Sequence, residues 1–294
     1  METNQAGKPW ETYAKVVSLS FGVPLLAGLA FWVSLSPSPT PFDPNFTHKW
    51  VERSTDLFEI QYGPDPLQTA DLHYNFPGKP LVLLVHGGDS NEGKKSNMKT
   101  RWEMYNKLGL NVLVPDYRYG RNSTTNRPLP SYDVWCALST TLQFAADHDV
   151  SFPEIAVHGY SYGGYVSSLM VYNQDFDWAS ECTSKQTFTV AHFIGESTNY
   201  GNIDVETDTY KDTLSPRDGA INYLDPSDPP ALLFHGTEDT KFTPQRMADF
   251  EAALKKAGIY AQSILVPNRG HGVGLPFNSS LQSTLKDFIV GRES

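Results

Sequence analysis

Gly159-Tyr160-Ser161-Tyr162-Gly163 is the stretch on which the reading of this chain turns. The apolar run before it, Ile155-Ala156-Val157, reads as a strand, and Tyr165 to Val171 after it reads as a buried helix. A serine between such elements sits on a sharp turn that lifts its hydroxyl above the sheet. Side chains at 159 and 163 would collide with the neighbouring strand and helix, so both must be small. Ser161 is therefore the candidate nucleophile.

A nucleophilic serine needs a base and an acid, and both follow downstream. Asp239 ends Ala231-Leu232-Leu233-Phe234-His235-Gly236-Thr237-Glu238-Asp239, an apolar strand opening into a turn. His271 lies in Asn268-Arg269-Gly270-His271-Gly272, just after the strand-like Ser263-Ile264-Leu265-Val266. Both positions are carboxyl ends of strands, where open α/β sheets place their sites. His271 would take the serine proton and return it to the leaving group, with Asp239 fixing its tautomer. Glu238 is the adjacent alternative for the acid.

A third strand, Leu81 to Val85, ends in His86-Gly87-Gly88-Asp89. Backbone N–H groups of Gly87 and Gly88, with that of Tyr162, can form an oxyanion hole. His86, His158 and His235 each precede a glycine at a strand end and read as structural hydrogen-bonders. Gly88 to Ser96 nearly spells a phosphate-binding loop, but its hydroxyl falls one residue late, a rotation of about 100° on a helix. Asp89 and Glu92 would repel phosphate, and Lys94 and Lys95 read as a solvated loop.

The 294 residues carry a formal net charge of -10, with 39% hydrophobic and 19% charged residues, an ordinary globular composition with ample core. The negative charge and the lack of a basic patch argue against a nucleic-acid partner. No His or Cys spacing suits a metal, and no cofactor is implied. Cys136 and Cys182 allow at most one disulfide, and Cys136, on an apolar stretch, reads as a buried free thiol.

Residues 1–15 form a polar tail. Residues 16–35 hold no charge and are mostly apolar, about 30 Å of helix, enough to span a bilayer. Trp10, Tyr13 and Trp32 flank the stretch as interfacial anchors do. The competing reading is a signal peptide cleaved near Gly28-Leu29-Ala30, giving a secreted protein. Lys8 and Lys15 on one side balance Lys49 and Arg53 on the other, and Lys15 abutting the span favours a luminal or extracellular body. Glycosylation sequons begin at Asn45, Asn122 and Asn278, close to the number chance would supply.

Residues 36–56 read as a proline-rich linker. From Leu57 the chain reads as two antiparallel opening strands, Leu57–Tyr62 and Ala70–Tyr74, then as alternating strands and helices to Val290. The strands are 81–85, 111–117, 155–157, 188–194, 231–234 and 263–266. The helices are 97–108, 131–147, 165–171, 243–257 and 281–290. This alternation predicts a mostly parallel sheet covered on both faces.

Together these residues resemble the α/β-hydrolase superfamily over 57–294. Gly159 to Tyr165 is similar to the elbow of the prolyl-oligopeptidase catalytic domain. His235-Gly236-Thr237-Glu238-Asp239 resembles the acid loop of those peptidases and of many esterases. His86-Gly87-Gly88 and Asp116-Tyr117-Arg118 resemble motifs of acylaminoacyl-peptidase-like enzymes and small carboxylesterases. The resemblance implies a triad of Ser161, Asp239 and His271. Two departures matter: no β-propeller is expected between the span and the first strand, and Asp89 replaces the third glycine of the common His-Gly-Gly-Gly pattern. The glutamates by which dipeptidyl peptidases capture a peptide N-terminus find no evident counterpart. A tyrosine- and aspartate-rich insert over 198–229 reads as a small lid or as a solvated loop.

These readings lead to the expectation of a membrane-anchored serine hydrolase acting on a small ester or amide. A peptidase of prolyl-oligopeptidase type and a non-catalytic binding module are the alternatives. The oligomeric state is not legible.

Overall fold

A computed structural model describes residues 40–88, 93–201 and 216–291. The expected span over 16–35, the first four residues of the proline-rich linker (36–39) and the middle of the insert lie outside the described residues. Among the described residues no helix is long and apolar enough to cross a membrane.

Nine strands form one sheet in the order β1-β2-β3-β5-β4-β6-β7-β8-β9. They are β1 (Lys49–Ser54), β2 (Leu57–Gln61), β3 (Thr69–His73), β4 (Leu81–Val85), β5 (Asn111–Pro115), β6 (Ile155–Tyr160), β7 (His192–Glu196), β8 (Ala231–Gly236) and β9 (Ala261–Val266). The first three and β5 pair antiparallel, and from β5 to β9 the sheet is parallel.

The central strands are continuous apolar runs because both faces are covered. Leu81, Leu83 and Val85 of β4 enter one core cluster, while Val82 and Leu84 enter the other. The first cluster takes in α2 (Leu129–Asp147), α3 (Tyr162–Tyr172) and α4 (Pro244–Lys256). The second takes in α1 (Lys99–Lys107) and α5 (Ser279–Val290). This is the α/β-hydrolase arrangement. Its strand order reverses at β4, which lies between β5 and β6, so the loop after β4 and the turn after β6 open side by side.

Three expectations need correction. The linker expected to run to residue 56 contains β1, which pairs with β2 although all six of its residues are exposed. Polar composition hid this strand. Ladder hydrogen bonds hold it, and the Trp50 ring packs on Phe144 at 5.2 Å. Tyr200, read as part of the insert's polar cover, is fully buried, its ring stacked on Phe250 of α4 at 4.1 Å. Finally, Cys136 is not a free thiol: it is bonded to Cys182, with Cα atoms 5.4 Å apart. The apolar surroundings of Cys136 are those of α2, and its partner comes from a loop after α3 that local pattern does not place.

A bond across a separation of 46 residues restricts the unfolded chain by about 4 kcal/mol in the chain-entropy account. Replacing both cysteines by serine should cost about 2–4 kcal/mol, read as a lower urea midpoint. Without reductant, alkylation of the unfolded wild-type chain should modify neither cysteine. Two alkylated thiols in that experiment would show the bond to be absent.

Candidate active site

Ser161 joins β6 to α3 with φ 54° and ψ -125°, a backbone state sparsely populated for any residue with a side chain. Close packing enforces it. A Cβ on Gly163 would lie 2.2 Å from the His86 carbonyl oxygen and 2.4 Å from that of Val85, so the start of α3 rests directly on the end of β4. Ser161 is thereby raised above the sheet and remains partly exposed.

The structure brings the three sequence-predicted residues together. His271 Nε2 is 2.8 Å from Ser161 Oγ, and His271 Nδ1 is 2.9 Å from Asp239 Oδ2. Asp239 Oδ1 accepts the N–H groups of Lys241 and Phe242 at 2.9 and 3.1 Å. His235 Nε2 reaches Asp239 Oδ2 at 3.1 Å and the Phe242 carbonyl at 2.7 Å. Since that carbonyl can only accept, Nε2 of His235 carries the proton. Burial alone would raise the Asp239 carboxyl, but the hydrogen bonds from His235 and His271 outweigh it and hold the group below the usual carboxylate range. Glu238, the alternative acid, is exposed and meets the Arg269 carbonyl through its backbone N–H.

The loop after β4 lies against the nucleophile. A Cβ on Gly87 would stand 2.8 Å from Ser161 Cβ, and Gly88 has φ 123°, a conformation reserved for glycine. Tyr162 is the first residue of α3, where backbone N–H groups have no intrahelical acceptor. Gly87 and Tyr162 thus flank Ser161, with Gly88 next in the loop, while Asp89 lies outside the described residues. The three histidines that precede glycines at strand ends, His86, His158 and His235, serve structure. His86 is stacked on Tyr117 at 4.1 Å, and burial pushes it down to about 4. His158 Nδ1 meets the Tyr105 hydroxyl at 2.8 Å. Lys95, read as solvated, instead donates to Asp71 at 2.7 Å and Thr69 at 3.2 Å.

Sequence reasoning missed the charge buried behind the nucleophile. Glu196, at the end of β7, is fully buried and accepts two hydrogen bonds from Arg101 of α1, each 2.8 Å. His158 Nε2 stands 3.4 Å from Glu196 Oε2. Burial disfavours the charged form, but Arg101 and His158 keep the carboxyl well below its ordinary value. Arg101 also lies over the Tyr160 ring at 4.1 Å. With partners 95 residues apart, only a buried Glu following an apolar strand hinted at the pair. Asp218, where the insert returns, is likewise buried and held between Arg121 and Arg127.

The arrangement can activate a hydroxyl, bind an oxyanion and stabilise an imidazolium, the requirements of acyl transfer. Among known proteins, residues 137–290 match the family model described as the prolyl oligopeptidase family. Bovine dipeptidyl peptidase 4 is 27% identical over 212 residues, 66% of this chain and 26% of that protein. Human prolyl endopeptidase FAP is 26% identical over 230 residues, 71% of this chain and 29% of that protein. The chain therefore spans between a quarter and a third of the length of these relatives. Among solved structures, the carboxylesterase Cest-2923 from Lactobacillus plantarum WCFS1 superposes with a TM-score of 0.62 at 13% identity, covering 82% of this chain and 94% of that one. A truncated carbohydrate esterase from gut microbiota gives 0.61 at 18% identity, covering 75% and 89%. These two likenesses concern the fold alone.

Ser161→Ala should abolish covalent labelling by a fluorophosphonate, while His271→Ala and Asp239→Asn should each lower kcat about 10³-fold or more. Asp239 has a native pKa below its unfolded value. Its contribution to stability is complete above about pH 4 and is lost as pH falls through the native value. Asp239→Asn should accordingly flatten the acid arm of the stability curve measured by urea unfolding. An unchanged acid slope would show that this carboxylate is not held as described.

Proposed function

We propose, for a chain that belongs to the prolyl oligopeptidase family and is a serine hydrolase, that its reaction is cleavage of small, uncharged carboxylic esters or amides through an acyl-enzyme. The observation that carries the mechanism is His271 bridging Ser161 Oγ and Asp239 Oδ2 at 2.8 and 2.9 Å. His271 Nε2 takes the Ser161 proton as Oγ attacks the acyl carbon. The N–H of Tyr162, with Gly87 or Gly88, meets the developing oxyanion. Collapse expels the alcohol or amine, which receives the proton from His271. Water, deprotonated by the same imidazole, then releases the acid and restores the serine. A hydrolase-fold binding module has no need of this complete relay.

The peptidase reading draws on the relatives, which are named as peptidases. Against it stand the charges around the elbow. Glu196 and Asp218 are both buried against arginines, so neither is available to capture the ammonium group of a peptide. A flexible peptide would also pay an ordering cost that a small ester avoids. p-Nitrophenyl acetate or butyrate should therefore be turned over about tenfold more efficiently than any aminoacyl or dipeptidyl anilide, a gap of about 1.4 kcal/mol. Measuring kcat/KM on both panels decides this, and preference for a prolyl or aminoacyl anilide would place the enzyme among the peptidases.

Residues 16–35 are proposed to anchor the chain in a membrane, with the hydrolase body on the luminal or extracellular side. The disulfide supports an oxidising compartment. Asn45, exposed, is the most accessible sequon for a glycan; the carboxamide of Asn122 is engaged by Glu181 and by the N–H groups of Thr124 and Thr125. The native protein should sediment with membranes and resist carbonate extraction. A mature N-terminus near Phe31 would instead reveal a cleaved signal peptide.

A further inference from the structure

Ser161 follows β6 and His271 follows β9, three strand positions away in the sheet. At about 4.8 Å per strand this is roughly 14 Å. The loop carrying His271 must fold back over the ends of β8 and β7 to reach the nucleophile, and something must hold it there. Glu196-Ser197-Thr198, leaving the end of β7, the strand next to β6 and two positions from β9, touches both sides.

On the nucleophile side, Ser161 N–H donates to the Glu196 carbonyl at 2.9 Å, and the Thr198 hydroxyl donates to the Ser161 carbonyl. The elbow is thus held at both of its backbone groups. On the base side, the Ser197 hydroxyl accepts the N–H of Gly272 at 3.0 Å, and Glu196 Oε1 accepts that of Val273 at 3.4 Å. These are the two residues that follow His271. The segment is itself immobilised: all three residues are 0% exposed, Ser197 N–H donates to the Phe234 carbonyl at 2.9 Å, and Arg101 fixes the Glu196 carboxylate. Ser197 has φ 49°, which turns consecutive residues of one short segment toward two different loops.

We infer that Glu196-Ser197-Thr198 is a clasp that sets the separation of nucleophile and base, with the Ser197 and Thr198 hydroxyls as its positioning groups. This rests on the serine-hydrolase mechanism given above. Neither hydroxyl touches the reacting atoms. Each acts by keeping Ser161 Oγ and His271 Nε2 at bonding distance, where a displacement of about 1 Å can cost about 10²-fold in rate.

Glu196→Gln would leave Arg101 buried without its charge partner and endanger folding, so the test uses the hydroxyls. Ser197→Ala removes the hydroxyl that holds Gly272, and Thr198→Val the hydroxyl that holds the Ser161 carbonyl, each with little change of volume. In the full chain, each should slow fluorophosphonate labelling of Ser161 and lower kcat on p-nitrophenyl butyrate about tenfold, with KM changed less than about twofold, since substrate contacts are untouched. Thr198→Ser, which restores the hydroxyl, should recover most of the rate. Labelling of both hydroxyl-deleted variants at the wild-type rate would overturn the clasp while leaving the mechanism standing. So would a Thr198→Ser enzyme as slow as Thr198→Val. Absence of labelling in the wild-type enzyme would overturn the mechanism and the clasp with it. If Ser197→Ala does not fold, the Thr198 pair decides alone.

Discussion

The contact between the start of α3 and the end of β4 is the constraint on which the site depends. No side chain fits between residue 163 and the carbonyl oxygens of Val85 and His86. Because the helix must begin there, the turn before it is forced into a strained conformation at Ser161. Such strain costs on the order of 1–3 kcal/mol and persists only where its surroundings leave no alternative. Here the surroundings are two strands buried on both faces, whose side chains alternate between the two cores. The same contact sets the glycine loop after β4 beside the nucleophile, so one packing relationship positions both the attacking oxygen and the donors that flank it.

Charge is handled by a second rule: the carboxylates buried near the site each have named partners. Glu196 has Arg101 and His158, Asp218 has Arg121 and Arg127, Asp133 has Arg118, and Asp239 has two histidines and two backbone N–H groups. Buried ion pairs of this kind contribute little net stability compared with well-packed apolar groups, but breaking one is costly. Their effect is geometric. Each fixes a loop or strand end that local hydrogen bonding leaves free.

Local pattern made most of the fold legible. The doubly buried strands are apolar runs, the elbow has its small residues at fixed offsets, and the acid and base follow strands in the loops where a parallel sheet opens. What escaped was set by distance in sequence or by solvent. Strand β1 has no buried face to produce an alternating pattern. The Cys136–Cys182 bond joins elements whose proximity only the α2–α3 packing reveals. Tyr200 reads as polar cover until the stacking on Phe250 is known, and Arg101 carries no sign in the sequence that its partner lies at the far end of β7. Membership of the prolyl oligopeptidase family was foreshadowed by the elbow and the acid loop, which carry their conformational requirements in their own residues.

The disulfide has a mechanical consequence. Its two ends, Cys136 and Cys182, enclose β6, Ser161 and all of α3 within one covalent loop. A protease that cuts a single bond between those cysteines cannot separate the halves of the chain. The pieces remain tethered across α2, and the strained turn stays close to the strands that hold it. The strained turn at the nucleophile therefore lies in a part of the molecule from which a single cut releases nothing until the bond is reduced.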